Sequence, residues 1–212
     1  MNAVKKIVGF VFLASSLAHG ATQQAQLSVP TKQLFHALYS VKDPVIRHTE
    51  IHAALVAGAQ THVYNAFGHT ALTYAANSSE MHEYIPVIAT RENVNIPFKS
   101  AGSFYPITLL CRASRDDENL ARNLALLIAL GADKEACCPI TRYTPLGVLC
   151  VKSWQSPESI AYLLSQNAHR GRMVHDPLIS PETKQLLSKK RELRKSALSN
   201  DNTVATLATL KK

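Results

Sequence analysis

Two stretches of this chain share one local grammar, and any fold must accommodate both. Gly58–Ala76, GAQTHVYNAFGHTALTYAA, starts with a glycine that can end a helix by turning left-handed without a Cβ clash. Asn65 and Gly68 then supply turn chemistry, and Thr70 opens an apolar run whose small residues, Ala71, Ala75 and Ala76, permit close helix packing. Gly131–Cys150, GADKEACCPITRYTPLGVLC, repeats the order of helix stop, polar hairpin and helix start. Such a grammar predicts helices joined through polar hairpins.

The remaining sequence fits the same plan. Thr31–Tyr39 carries Leu34, Phe35, Ala37 and Leu38 at helical spacing, and Asp43-Pro44 starts a second helix that Gly58 ends. The next unit runs from Thr61 to Asn93. Its first helix is Thr70–Asn77; its second is expected from Ser79-Glu80 to about Arg91, kinked or started late by Pro86. The third unit, Val94–Ala132, opens its first helix at Tyr105-Pro106-Ile107. Its second helix starts at Asp116 and carries Leu120, Leu124, Leu127 and Ile128. In the fourth, Asp133–Ala168, Thr144-Pro145-Leu146 and Ser156-Pro157-Glu158 begin the two helices. A last helix is expected from Ser180-Pro181-Glu182 to about Leu198.

On these residues the chain resembles the ankyrin-repeat family, whose unit is a hairpin plus two antiparallel helices with a period of about 33 residues and a Thr-Pro-Leu-His-x-Ala signature. Thr144-Pro145-Leu146 is the closest match, and Asn93-Val94-Asn95 is similar to the family's Asp-Val-Asn. The family's helix-initial His is replaced by Thr73, Thr108 and Gly147, which leaves the hydrogen bonds it makes between hairpins without their usual donor. The resemblance implies an all-α fold: a solenoid of about four helix-hairpin-helix units over residues 31–170. A capping helix at 171–199 and a loose tail at 200–212 would follow. One helix pair cannot bury its apolar face alone, so each leans on its neighbours.

Residues 1–20 are a separate object. Lys5 and Lys6 precede the apolar run Ile7–Ala18, and Ala18-His19-Gly20 offers small residues for cleavage before Ala21. A secretory signal is expected, with periplasm or medium as destination and a polar lead-in at 21–30. The run is short for a membrane span, which needs roughly 20 apolar residues. The chain's formal charge is +8, and losing the signal removes two lysines and no acid. A chain so basic is drawn to anionic surfaces.

Four cysteines follow the signal, and an even count in an oxidising compartment invites a disulfide reading. Cys111 and Cys150, however, hold equivalent positions on neighbouring units. These lie a helix-packing distance of about 8–10 Å apart, beyond the roughly 7 Å that a bridge spans. They read as buried small apolar residues. Cys137-Cys138 fall in a hairpin and are expected to be exposed.

No catalytic constellation stands out. His48 and His52 are one helical turn apart around Glu50, but the sequence has no His-Glu-x-x-His, Cys-x-x-Cys, Gly-x-Ser-x-Gly or phosphate-cradling glycine loop. The pair reads as solvent-facing, and no cofactor or metal is expected. Partners of ankyrin-repeat proteins usually bind the concave side made by hairpin tips and first helices. Carried over residue by residue, that selects Phe67, His69 and Asn77, then Lys99, Phe104 and Arg112, then Arg142, Tyr143 and Lys152. Phe67, Phe104 and Tyr143 either face the partner or fold inward to staple adjacent hairpins. The expected function is non-enzymatic binding of another protein. A second reading takes Lys189, Lys190, Arg191, Arg194 and Lys195 as an anionic-membrane or polymer contact, against a solvated capping face. A third is a metal- or thiol-dependent enzyme.

Overall fold

A computed structural model describes residues 27–99, 104–138, 140–151, 156–169 and 178–188. The expected signal at 1–20, most of the lead-in, Lys152, the basic run Lys189–Lys195 and the tail at 200–212 lie outside the described residues. Among the described residues every regular element is helical and none is a strand, so the fold is all-α. The chain divides into two compact units, one within Met1–Ala71 and the other within Leu72–Lys212.

The first unit is a helix pair, α1 (Val29–Ser40) packed on α2 (Pro44–Val56). The sequence places the start of α1 at Thr31, but it begins at Val29. Ser28 caps it by accepting from the Thr31 N–H, and Pro30 falls in the first turn, where a missing N–H costs nothing. Asp43 caps α2, its Oδ1 accepting from the N–H groups of Val45 at 2.8 Å and Ile46 at 3.0 Å. Gly58, at φ +86°, ends the pair as its residue type requires. Leu34, Ala37, Leu38, Ile51 and Ala54 form the buried seam. Val45 and Ile46 belong to the apolar pattern but are exposed, because they stand in the first turn of α2, ahead of that seam. Arg47 is buried instead, its Nε donating to the Val41 carbonyl at 2.7 Å and its Nη2 to that of Lys42 at 3.3 Å.

The second unit begins within α3 (Ala71–Asn77). A 3-10 helix, Ser79–Tyr84, follows and passes into the single α-turn α4 (Ile85–Ile88). The long helix expected to reach Arg91 is therefore replaced by a tight lead and a late start. Pro86 takes the second position of α4, where it breaks no helical bond. Asn93 closes this turn, accepting from the Thr90 N–H at 2.8 Å and donating to the Ile88 carbonyl at 2.9 Å. Then come α5 (Pro106–Ala113), α6 (Asp117–Ala129), α7 (Pro145–Val151), α8 (Pro157–Ser165) and α9 (Pro181–Ser188). Asp116 caps α6, and Gly131, at φ +97°, stops the chain after it. Asn167 does the same after α8 at φ +61°, the left-handed role that asparagine fills next best to glycine.

Packing in this unit has a regular order. α5 lies on α6 and on α7, α6 on α8, α7 on α8, and α9 on α8. Ile107, Leu109, Leu110, Leu120, Leu124, Leu127, Leu146, Leu149, Ile160 and Leu163 fill the space between them. Polar bonds run across the same steps. Asn95 donates from Nδ2 to the Gly131 carbonyl at 2.8 Å and accepts at Oδ1 from the Asp133 N–H at 2.9 Å. Glu135 Oε1 accepts from the His169 N–H at 2.8 Å. Asn123, itself buried, donates to the His82 carbonyl at 3.2 Å.

None of the four cysteines is in a disulfide. Cys111 and Cys150 are core residues, as their helix positions predict, and Cys137 is exposed. Cys138 corrects its expected exposure. Its N–H donates to the Tyr143 carbonyl at 2.8 Å, which draws it into the hairpin and buries its side chain.

Candidate functional site

The hairpins are shaped by backbone bonds across their bases: Asn65 N–H to the His69 carbonyl, Phe98 N–H to that of Phe104, and Cys138 N–H to that of Tyr143. In the first unit, Asn65 is the hub. Its Oδ1 accepts from the N–H groups of Phe67 at 2.9 Å and His69 at 3.0 Å, and its Nδ2 donates to the Tyr39 hydroxyl at 2.7 Å. That arrangement lifts Phe67 outward, 71% exposed, with its ring 6.0 Å from that of Tyr39. His69 corrects its place among the contact residues: it is buried, and burial pushes its imidazole down to about 4. It holds the hairpin rather than presenting a face.

In the second unit the selected residues separate into two kinds. Phe104 turns inward, which decides between its two expected settings, and Arg112 lies over its ring with the guanidinium carbon 5.1 Å from the centroid. Tyr143 is half-buried. Lys99, Asn77, Arg112 and Arg142 are exposed, Arg142 at φ +60° at the turn of its hairpin. Nothing is placed at Lys152, outside the described residues.

Asn77 and Arg112 are brought together. Arg112 Nη2 donates to Asn77 Oδ1 at 3.3 Å, and the two stand at opposite walls of a polar cleft of about 490 Å³. One wall is Asn77, Ser78, Ser79 and Glu80; the other is Arg112, Ala113, Ser114 and Arg115. These are the ends of α3 and α5 and the first residues beyond them. Ser114 is buried, and its hydroxyl donates to the Asp116 carbonyl at 3.1 Å, which fixes the turn that carries Arg115. Among the described residues neither guanidinium has a carboxylate within ion-pair distance. The sequence does not point to Ser79, Glu80 or Arg115; the signal that finds them is that both walls continue past the ends of α3 and α5.

The cleft offers guanidinium, amide and hydroxyl groups, a set that suits recognition of an oxyanion. Burial pushes the Cys150 thiol up to about 12, which disfavours chemistry at that residue. At Cys138 burial raises the thiol, but hydrogen bonds from Thr141 and Ile140 and the charge of Arg112 together bring it below its ordinary value. His48 is exposed and His52 half-buried, their rings 4.4 Å apart. Among the described residues no group of three potential ligands could hold a metal ion, and no helix is long and apolar enough to cross a membrane. The sequence matches no family model and no curated protein.

Proposed function

We propose that this chain is an exported ankyrin-repeat protein that binds another protein through the side formed by its hairpins and first helices, without catalysing a reaction. The observation that carries this reading is the cleft between the ends of α3 and α5. It falls where the repeat plan puts the partner surface, and Asn77 and Arg112, chosen from that plan, line it. The helix order supports the plan too, with first helix packed on first helix, α5 on α7, and second on second, α6 on α8. Arginine is among the residue types that concentrate binding energy in protein interfaces.

Site-directed photo-crosslinking in the native cells tests the reading. A photoreactive residue at Ser79, on the cleft wall, should give adducts with one protein partner; the same residue at the exposed Arg122 of α6 should not. Equal adduct patterns at both positions, or none at Ser79, would reject the surface. Recovery of the chain from the producing cell's cytoplasm, with residues 1–20 still attached, would reject export.

A further inference from the structure

We propose that the cleft between α3 and α5 receives a carboxylate side chain from an acidic segment of the partner protein. The inference rests on the protein-binding reading and gives it a chemistry. Two guanidiniums, Arg112 and Arg115, line one wall, and a single carboxylate, Glu80, lies on the other, leaving one positive charge in excess. A guanidinium presents a planar fork of donors that matches a carboxylate in two parallel hydrogen bonds.

Arg112 is already held for that task. The Asn77 amide anchors one edge of its guanidinium and the Phe104 ring lies beneath its face. Fewer rotamers are then lost on binding, and the cost of ordering a long side chain is largely met beforehand. Asn77 accepts only one of the five N–H donors a guanidinium carries, so donors remain for an incoming oxygen. Arg115 follows the turn fixed by Ser114 and supplies the second fork.

With Glu80 on the facing wall the cleft keeps one surplus positive charge, which a single carboxylate of a protein partner neutralises. The cleft, at about 490 Å³, is also larger than a carboxylate alone and takes the peptide on either side of it. The basic chain adds a long-range pull on an acidic partner.

The test uses the full mature chain and a fluorescent, capped hexapeptide alternating glutamate and alanine, followed by anisotropy and by amide chemical shifts. The peptide should bind, shift the amides of residues 77–80 and 112–115, and weaken with added salt. Arg112→Gln and Arg115→Gln should each lower its affinity about tenfold with the thermal unfolding midpoint unchanged. Glu80→Gln, which raises the surplus positive charge, should tighten binding of the peptide. The inference is overturned if the glutamine version of the peptide binds equally, if neither arginine substitution alters affinity, or if phosphate displaces the peptide from the unmodified chain at equal concentration. Retention on phosphatidylserine vesicles that both arginine substitutions abolish would assign the cleft to a lipid surface and also overturn it. Crosslinks at Ser79 that persist while the peptide fails to bind would remove the carboxylate and leave protein binding standing; loss of both would remove both.

Discussion

The Thr108 hydroxyl donates to the Ala136 carbonyl across 3.0 Å, with Thr108 2% and Ala136 5% exposed. Thr108 lies in α5, at a position where the ankyrin signature that the chain resembles has histidine, and Ala136 lies between α6 and α7. The threonine side chain thus ties α5 directly to the segment that follows α6. Thr108→Val keeps the shape and strands a buried carbonyl, at a cost of about 1–3 kcal/mol. Urea unfolding should show that loss, and Thr108→Ser should recover most of it.

Arg47 ties the connection between α1 and α2 through the carbonyls of Val41 and Lys42. Arg47→Met preserves the buried stem and removes both bonds, so the first unit should lose about 1–3 kcal/mol. Arg47→Lys should rescue little of it, since an ammonium cannot reproduce the fork. Hydrogen exchange of the α2 amides is the direct readout.

Burial lowers His69 from 6.5 to about 4. The unfolded chain takes up a proton near pH 6.5 that the folded chain accepts only near pH 4. Stability is therefore fully present above pH 6.5, falls as pH drops through that window, and levels off below it. Solvent screening of the partly accessible ring holds the full loss to about 1–3 kcal/mol. Denaturation midpoints compared between pH 7 and pH 5 should show the slope, and His69→Gln should flatten it.

Thiol labelling separates the cysteines by their surroundings. Cys137 is exposed and should alkylate in the native chain, while Cys111 and Cys150, at 0% and 4% exposure, should react only on unfolding. Cys138, buried but with its thiol lowered by Thr141, Ile140 and Arg112, should be the second to react. Arg112→Gln should slow that second step by removing the charge that favours the thiolate. Mass spectrometry of peptides after timed iodoacetamide treatment reads all four.

Helix boundaries set by a single residue's chemistry were legible in the sequence. Gly58 and Gly131 end helices because they can turn left-handed, and Asp43 and Asp116 start them because a carboxylate accepts from bare N–H groups. The start of α1 was misplaced by two residues because Ser28 caps from within a stretch that reads as polar lead-in. What depends on a neighbour far along the chain was hidden. Phe104 faces inward with Arg112 over its ring, Cys138 is buried by its bond to Tyr143, and Arg47 is buried where two loop carbonyls accept from it. The cleft was half legible: Asn77 and Arg112 follow from the family resemblance, while Glu80 and Arg115 lie past the ends of α3 and α5, where that resemblance points to no residue.

The bonds of Asn95 to Gly131 and Asp133, and of Glu135 to His169, join residues only 34 to 38 positions apart. Links of that reach demand little closing of long loops. Within the second unit the connections are thus short-range along the chain, so damage to one of these bonds should be felt chiefly by the helices beside it.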